Sequence, residues 1–214
     1  MRTVILALAL ALFMMVPVYS QKLIIELSNA PYSSTHTIFK GKNVENRSYI
    51  KWRSQPAYMI GVSGKLAKDI YLKTELGYHT IYSKLSADFQ DNQGNTVTIS
   101  NEYLAHLLSL AVLCELRSGY KSFFAFLNGG FASYATVSGA FSSSGITADI
   151  NPNDFNGTNF GIQQNGGVGF KKNCVGLFAG YRFSYIHPHK KSDAVPGLGY
   201  LQAGFCFGIS YDIQ

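Results

Sequence analysis

The sequence predicts an all-β chain, an eight-stranded antiparallel up-and-down transmembrane β-barrel, and three observations carry that prediction. Apolar and polar residues alternate with a period of two over long stretches, as successive side chains of a strand must. The connections between those stretches alternate between tight and long. The few charged residues within them share a face with glycines and small polar residues, opposite a face rich in large apolar side chains. Composition agrees: 21 Gly, 14 Tyr and 15 Phe with only 14% charged residues describe a β-rich chain with close backbone approaches.

Compartment is legible at the start. Met1 and Arg2 precede an uncharged apolar run from Thr3 to Val18, and Val18-Tyr19-Ser20 offers a cleavage site, so residues 1–20 read as a secretory signal and 21–214 as one barrel domain. An uncleaved anchor is the alternative. No Cys follows the run, which argues against a lipid-anchored N-terminus. Beyond it the longest apolar stretch, Leu107 to Cys114, contains Ser109 and is far shorter than the roughly 20 residues a spanning helix needs. Three cysteines, Cys114, Cys174 and Cys206, are an odd number without zinc-ligand spacing, so neither a disulfide framework nor a metal centre is expected. The formal charge of +6 would suit a nucleic-acid binder, but export argues against that partner.

The strands are expected at Lys22 to Phe39, Ala57 to Lys65, Asp69 to Phe89, Thr96 to Arg117, Ser122 to Phe141, Asn159 to Lys171, Cys174 to His187 and Tyr200 to Ile213. Links at Leu66 to Lys68, Ser118 to Lys121 and Lys172-Asn173 are tight. Those at Gly41 to Pro56, Phe141 to Thr158 and Pro188 to Gly199 are long, and 91–95 is a short turn between two long strands. Short turns on one rim with both termini, and longer loops on the other, describe an outer-membrane barrel and not a Greek-key sandwich.

The faces separate inside from outside. The last strand puts Leu201, Ala203, Phe205, Phe207, Ile209, Tyr211 and Ile213 opposite Tyr200, Gln202, Gly204, Cys206, Gly208, Ser210 and Asp212. The stretch at Cys174 to His187 sets Val175, Leu177, Ala179, Tyr181, Phe183 and Tyr185 against Gly176, Phe178, Gly180, Arg182 and Ser184. In the sixth strand Phe160, Ile162, Gly166, Val168 and Phe170 oppose Gly161, Gln163, Asn165, Gly167, Gly169 and Lys171. Ile70, Leu72, Thr74, Leu76, Tyr78 and Tyr82 face lipid in the third, leaving Lys73, Glu75, Gly77 and His79 inside. Leu104, Leu108, Leu110, Val112 and Leu116 do so in the fourth, with Tyr103, Ser109, Glu115 and Arg117 inside. His106 is the exception, a histidine on the lipid face.

With these faces in place, the stretches IYLKTELGYHTIYS (Ile70 to Ser83), YLAHLLSLAVLCELR (Tyr103 to Arg117), FFAFLNGGFASY (Phe123 to Tyr134) and the closing strand resemble the small outer-membrane β-barrel domain of Gram-negative bacteria. The resemblance spans the mature chain. It implies residence in the outer membrane, contact with outer-membrane lipid and lipopolysaccharide, and the barrel assembly machinery as a partner. Such barrels often close on an aromatic residue, whereas here the last residues are Tyr211-Asp212-Ile213-Gln214. The final strand is expected to pair with the first, so that no edge stays open.

For chemistry, Glu26, Lys73, Glu75, Glu115, Arg117 and Arg182 form a lumen charge cluster in the lower half of their strands. Eight strands enclose a space that side chains largely fill, so the cluster reads as a plug of salt bridges; a selective passage is the alternative. Lys40, Lys42, Arg47, Lys51 and Arg53, with Tyr49 and Trp52, crowd the first long loop and could hold lipopolysaccharide phosphates or a protein of a surface or secretion assembly. The pair His187 and His189 supplies two metal ligands at most and reads as solvated loop. No catalytic residue and no cofactor is predicted. The function expected is therefore a non-enzymatic barrel for envelope structure, adhesion or attachment of a larger assembly; a lipid acyl hydrolase or transferase, or a narrow pore, is the alternative. None of His36, His79, His106, His187 or His189 is followed two residues later by Ser, as the small membrane deacylases would require.

Overall fold

The computed structural model describes residues 23–40, 52–90, 94, 96–143, 146–149, 159–189 and 197–213, with side chains for most of them. The expected signal segment and loop residues Lys42, Arg47 and Lys51 lie outside the described residues.

Alternation along the chain builds β1 (Leu23–Lys40), β2 (Trp52–Ala67), β3 (Ile70–Gln90), β4 (Thr96–Tyr120), β5 (Phe123–Ser143), β6 (Ile146–Asp149), β7 (Asn159–Lys172), β8 (Val175–His189) and β9 (Gly197–Ile213). Eight of these form the wall, in the order β4-β3-β2-β1-β9-β8-β7-β5, and a β4–β5 ladder closes it. The first strand lies between β2 and the last: Leu23 stands opposite Gly64 on one side and Ile213 on the other. Closure satisfies the backbone groups that an open edge would leave bare in hydrocarbon. β6 is an addition in the segment expected to be loop. It pairs with the far end of β5, Ser143 opposite Ile146, and stands outside the closed wall.

Three two-residue turns, 68–69, 121–122 and 173–174, share one rim with both ends of the barrel. Asp69, Lys121 and Asn173 take φ of 61°, 55° and 56° there, the left-handed conformation that lets a tight hairpin follow the strand twist. Backbone bonds stitch each turn to the neighbouring strand: Arg117 N to Asp69 O at 2.9 Å, Lys171 N to Ser122 O at 2.6 Å and Asp212 N to Cys174 O at 2.8 Å.

The prolines explain where register slips. Pro31 and Pro56 both fall inside the β1–β2 irregularity, between the pairs Ala30–Ala57 and Tyr32–Ser54. Pro188 falls inside the β8–β9 shift, between Ile186 and His189. Lacking an N–H, proline cannot serve a ladder and collects at bulges. Two expectations are corrected as a result. Trp52 and Arg53, placed in the first long loop, open β2 opposite Ser34 and Ser33. His189, read as loop, belongs to β8, which runs past its expected end at His187. In both places the chain keeps pairing past the proline by bulging.

The predicted faces hold along the membrane-spanning parts. Phe205, Phe207, Ile209 and Tyr211 are exposed on the outer surface of β9 while Cys206, Ser210 and Asp212 are buried inside. Thr74 departs from expectation: it has outward parity yet is fully covered, a short side chain within the row Val62, Thr74 and Val112. The interior is also less polar than the alternation suggested. Ile81, Leu107, Leu113, Tyr134, Ile186 and Tyr200 form one buried cluster, and Phe124, Phe126 and Phe178 another nearer the short-turn rim. Bulk is needed in a bore this narrow, and apolar side chains supply it without leaving polar atoms unpaired.

Replacing Leu177, 61% exposed on the outer wall, by Arg should cost about 2–4 kcal/mol of folding stability in bilayers. Heat-modified gel mobility after refolding into vesicles reads it; insertion as complete as in the wild type would reverse the assignment of inside and outside.

Candidate functional site: a charge network across the bore

A charge pointing into an eight-stranded barrel leaves water and must find partners inside. Strand polarity puts the six charges at similar height. β1 and β3 begin at the short-turn rim and place Glu26, Lys73 and Glu75 a few residues in, whereas β4 ends there and brings Glu115 and Arg117 down to meet them. Arg182 lies midway along β8.

All six join one chain of contacts. Arg182 Nη1 donates to Glu75 Oε1 at 2.8 Å, and Lys73 Nζ lies 3.3 Å from Glu75 Oε2. Lys73 also pairs with Glu26, and Glu26 with Arg117. Arg117 Nε donates to Glu115 Oε1 at 2.8 Å. Two amides extend the ends: Gln163 donates to Glu75 at 2.8 Å while accepting from Arg182 Nη2 at 2.7 Å, and Asn128 donates to Glu115 at 3.2 Å. Contributions come from β1, β3, β4, β5, β7 and β8. Three carboxylates face three cations, so the network is formally neutral, and each acid touches at least one base.

Small residues make the room. A Cβ on Gly61 would stand 2.8 Å from Lys73 Cε, so this glycine lets the lysine lie across the wall toward Glu26. Gly77 does the same for a second polar couple, His79 and Ser109. A Cβ there would be 2.6 Å from both His79 Nε2 and Ser109 Oγ, which are themselves hydrogen-bonded at 2.7 Å.

Rings seal the network on the short-turn side. The Arg117 guanidinium carbon lies 5.1 Å from the centre of the Phe124 ring, 5.8 Å from that of Tyr71 and 6.0 Å from that of Phe126. Its charge is shared between two carboxylates and three aromatic faces. Beyond them a mouth of about 170 Å³ opens at the rim, and there Lys171 pairs with Asp212. Further inside, a void of only about 10 Å³ lies among Ala30, Ala57, Arg182, Ser184, Gln202 and Gly204, room for about one water.

Periodicity put the six charges on the inner face, but their pairing depends on barrel stagger, which no single strand displays. Asn128, the aromatic seal and the glycine spaces were missed. Inward parity in FFAFLNGGFASY marks Phe124, Phe126 and Asn128 once the wall is known. His106 now has an account. On the outer wall its Nδ1 lies 2.7 Å from Tyr78 Oη and 3.5 Å from Thr80 Oγ1, and its ring stacks on Tyr78 at 5.8 Å. The lipid-facing imidazole thus has a polar neighbour across the β3–β4 ladder. Of the basic loop set, Lys40 ends β1 opposite Gly197, Trp52 and Arg53 enter β2, and Lys42, Arg47, Tyr49 and Lys51 are outside the described residues. Among the described residues no three His, Cys, Asp or Glu side chains gather as a metal set.

Comparisons with known proteins fit this geometry. The profile of the outer membrane protein beta-barrel domain matches residues 28–187. Among solved structures, Neisserial surface protein A is 13% identical, with a TM-score of 0.51 and coverage of 88% of this chain and 96% of that one. The N-terminal β-barrel domain of Pseudomonas aeruginosa OprF is 10% identical at a TM-score of 0.45, covering 91% and 98%. Escherichia coli outer membrane protease OmpT is 8% identical at 0.49, also covering 91% and 98%. These likenesses concern the fold alone. No curated protein sequence matches.

Removing one partner of a buried pair leaves an uncompensated charge, at about 3–5 kcal/mol. Glu75→Gln should therefore lower unfolding stability in detergent. Arg182→Met added to it should restore part of the loss; a purely additive double mutant would dissolve the claimed coupling.

Proposed function

We propose a function that starts from membership: the chain belongs to the outer membrane protein beta-barrel domain family, and its place is the outer membrane. We infer that it is a non-enzymatic barrel whose bore is stoppered by its own side chains, serving envelope structure, adhesion or attachment of a larger surface or secretion assembly. The single observation that carries this reading is the neutral network from Arg182 to Asn128, backed by a void of water size. A conducting path would need free charges lining open space, whereas here each cation is paired with at least one neighbouring acid.

What remains available for function is the rim opposite the short turns. Residues 1–20 fit a cleaved export signal, and 21–214 a single barrel domain handed to the assembly machinery. The basic segment holding Lys42, Arg47, Lys51, Trp52 and Arg53 suits the phosphates of lipopolysaccharide or an acidic partner protein.

A lipid-modifying enzyme is the other reading. It would need a nucleophile and base open to lipid, and the hydrogen-bonded couple Ser109 and His79 is buried inside the wall. A narrow pore would need a passage beside Arg182.

In planar bilayers the wild type should pass no ion-selective current, and Glu75→Gln should change stability more than conductance. Ion-selective channels in the wild type, abolished by Glu75→Gln at unchanged stability, would overturn the stopper. For the basic segment, neutralising Lys42, Arg47, Lys51 and Arg53 together should remove salt-sensitive retention of lipopolysaccharide by the folded barrel; undiminished retention would set that contact aside.

A further inference from the structure

At the short-turn rim the outer wall carries a depression that the network does not explain. It has a volume of about 460 Å³ and lies over β4, β5 and β7, lined by Ser118, Tyr120, Phe123, Ala125 and Val168, with backbone exposed at Gly119 and Gly169. Its origin is a row of modest residues: Ser118 stands opposite Ala125, and Ala125 opposite Val168. Larger side chains flank that row. Leu116 and Leu127 project on the mid-membrane side, and Tyr120, Phe123 and Phe170 on the rim side, all exposed. Phe123 and Phe170 meet edge to face at 5.4 Å, forming a firm lower lip.

Cations stand at that lip. Lys121 is held by the left-handed turn, with its ammonium 5.3 Å from the centre of the Tyr120 ring, which is 75% exposed. The β5–β7 register sets Phe123 opposite Phe170, and Lys171 N bonds to Ser122 O. Lys121, in the β4–β5 turn, and Lys172, at the end of β7, each lie two residues beyond that phenylalanine pair. Both lysines are exposed. Lys171, between them in sequence, is already bound to Asp212. An apolar trough running toward the membrane centre, with two exposed lysines at its rim end, complements a molecule with an acyl chain and an anionic head. Short turns face the periplasm, so this lip lies at the level of the inner-leaflet head groups.

We propose that the trough over Ala125 is a binding site for one inner-leaflet glycerophospholipid, its acyl chain against Ser118, Ala125 and Val168 and its phosphate on Lys121 and Lys172. A net-anionic head group, phosphatidylglycerol, is favoured over zwitterionic phosphatidylethanolamine, whose own ammonium the lysine pair repels. The site is independent of the stoppered bore and stands or falls without it.

Native mass spectrometry of the full chain, released from micelles doped with phosphatidylglycerol, tests the site. The wild type should retain one lipid, and excess inorganic phosphate should not displace it. Lys121→Gln with Lys172→Gln should weaken retention by about tenfold or more, since each basic residue near an anionic surface adds a comparable increment. Ala125→Phe, which fills the trough and keeps both lysines, should weaken it as well. Leu27→Phe, exposed on β1 across the barrel from the trough, should not, and heat-modified gel mobility confirms that each variant is folded. Unchanged retention in both the lysine and the Ala125 variants would overturn the proposal. So would loss in the lysine variant alone with phosphate displacing the lipid, which would show a bare anion site.

Discussion

A charged side chain inside an eight-stranded wall can neither reach bulk water nor be ignored, and the rest of the structure is arranged around that constraint. Glu26, Lys73, Glu75, Glu115, Arg117 and Arg182, from four strands, satisfy it by pairing with one another across the bore. The pairing needs room, so Gly61 lacks a side chain where Lys73 crosses. It needs insulation, so Tyr71, Phe124 and Phe126 cover Arg117 at one end, and the cluster containing Ile81, Leu107, Ile186 and Tyr200 fills the bore toward the other. It also needs a closed wall, since water entering at an open edge would compete for each contact. The β1–β9 ladder removes that edge.

An interior whose six charges pair to neutrality divides the molecule by task. The wall carries stability, with lipid on one side and the network on the other. The short-turn rim is stitched by backbone bonds at Asp69, Ser122 and Cys174 and faces the head groups. Strands on the far rim continue well past the membrane: β3 and β4 run 21 and 25 residues, against the roughly 9–11 that a spanning strand requires. That surplus is hydrogen-bonded sheet standing outside the lipid.

Much of this was legible because a barrel writes its inside and outside at a period of two. Phe207 and Cys206 are adjacent in sequence yet 53% and 4% exposed, as alternation predicts. What stayed hidden depends on relations between strands. Pro56 read as the end of a loop, because only the facing Pro31 reveals a shared bulge that lets β2 start at Trp52. Thr74 read as lipid-facing, because its cover comes from the two neighbouring strands. The aromatic filling by Phe124, Phe126 and Phe178 shares its inward face with glycines, among them Gly169 and Gly208, where an added Cβ would be 2.3 Å from a ring carbon. Those glycines were visible; that rings fold over them depends on barrel stagger. Lys121 and Lys172 likewise come to one end of the trough only through the β5–β7 register that pairs Phe123 with Phe170.

The native thiols offer the most direct test of the closed bore. Cys206 is buried inside the wall, packed with Ala30, Ala57 and Met59, while Cys174 sits at the short-turn rim. A small, charged methanethiosulfonate reagent added to the folded barrel should modify Cys174 readily and leave Cys206 unmodified until the protein is unfolded. Reagents reach Cys206 only through the ion-pair network on one side or the apolar cluster on the other. Modification of Cys206 in the folded state at a rate approaching that of Cys174 would contradict the account, because it would require an open aqueous path through the barrel.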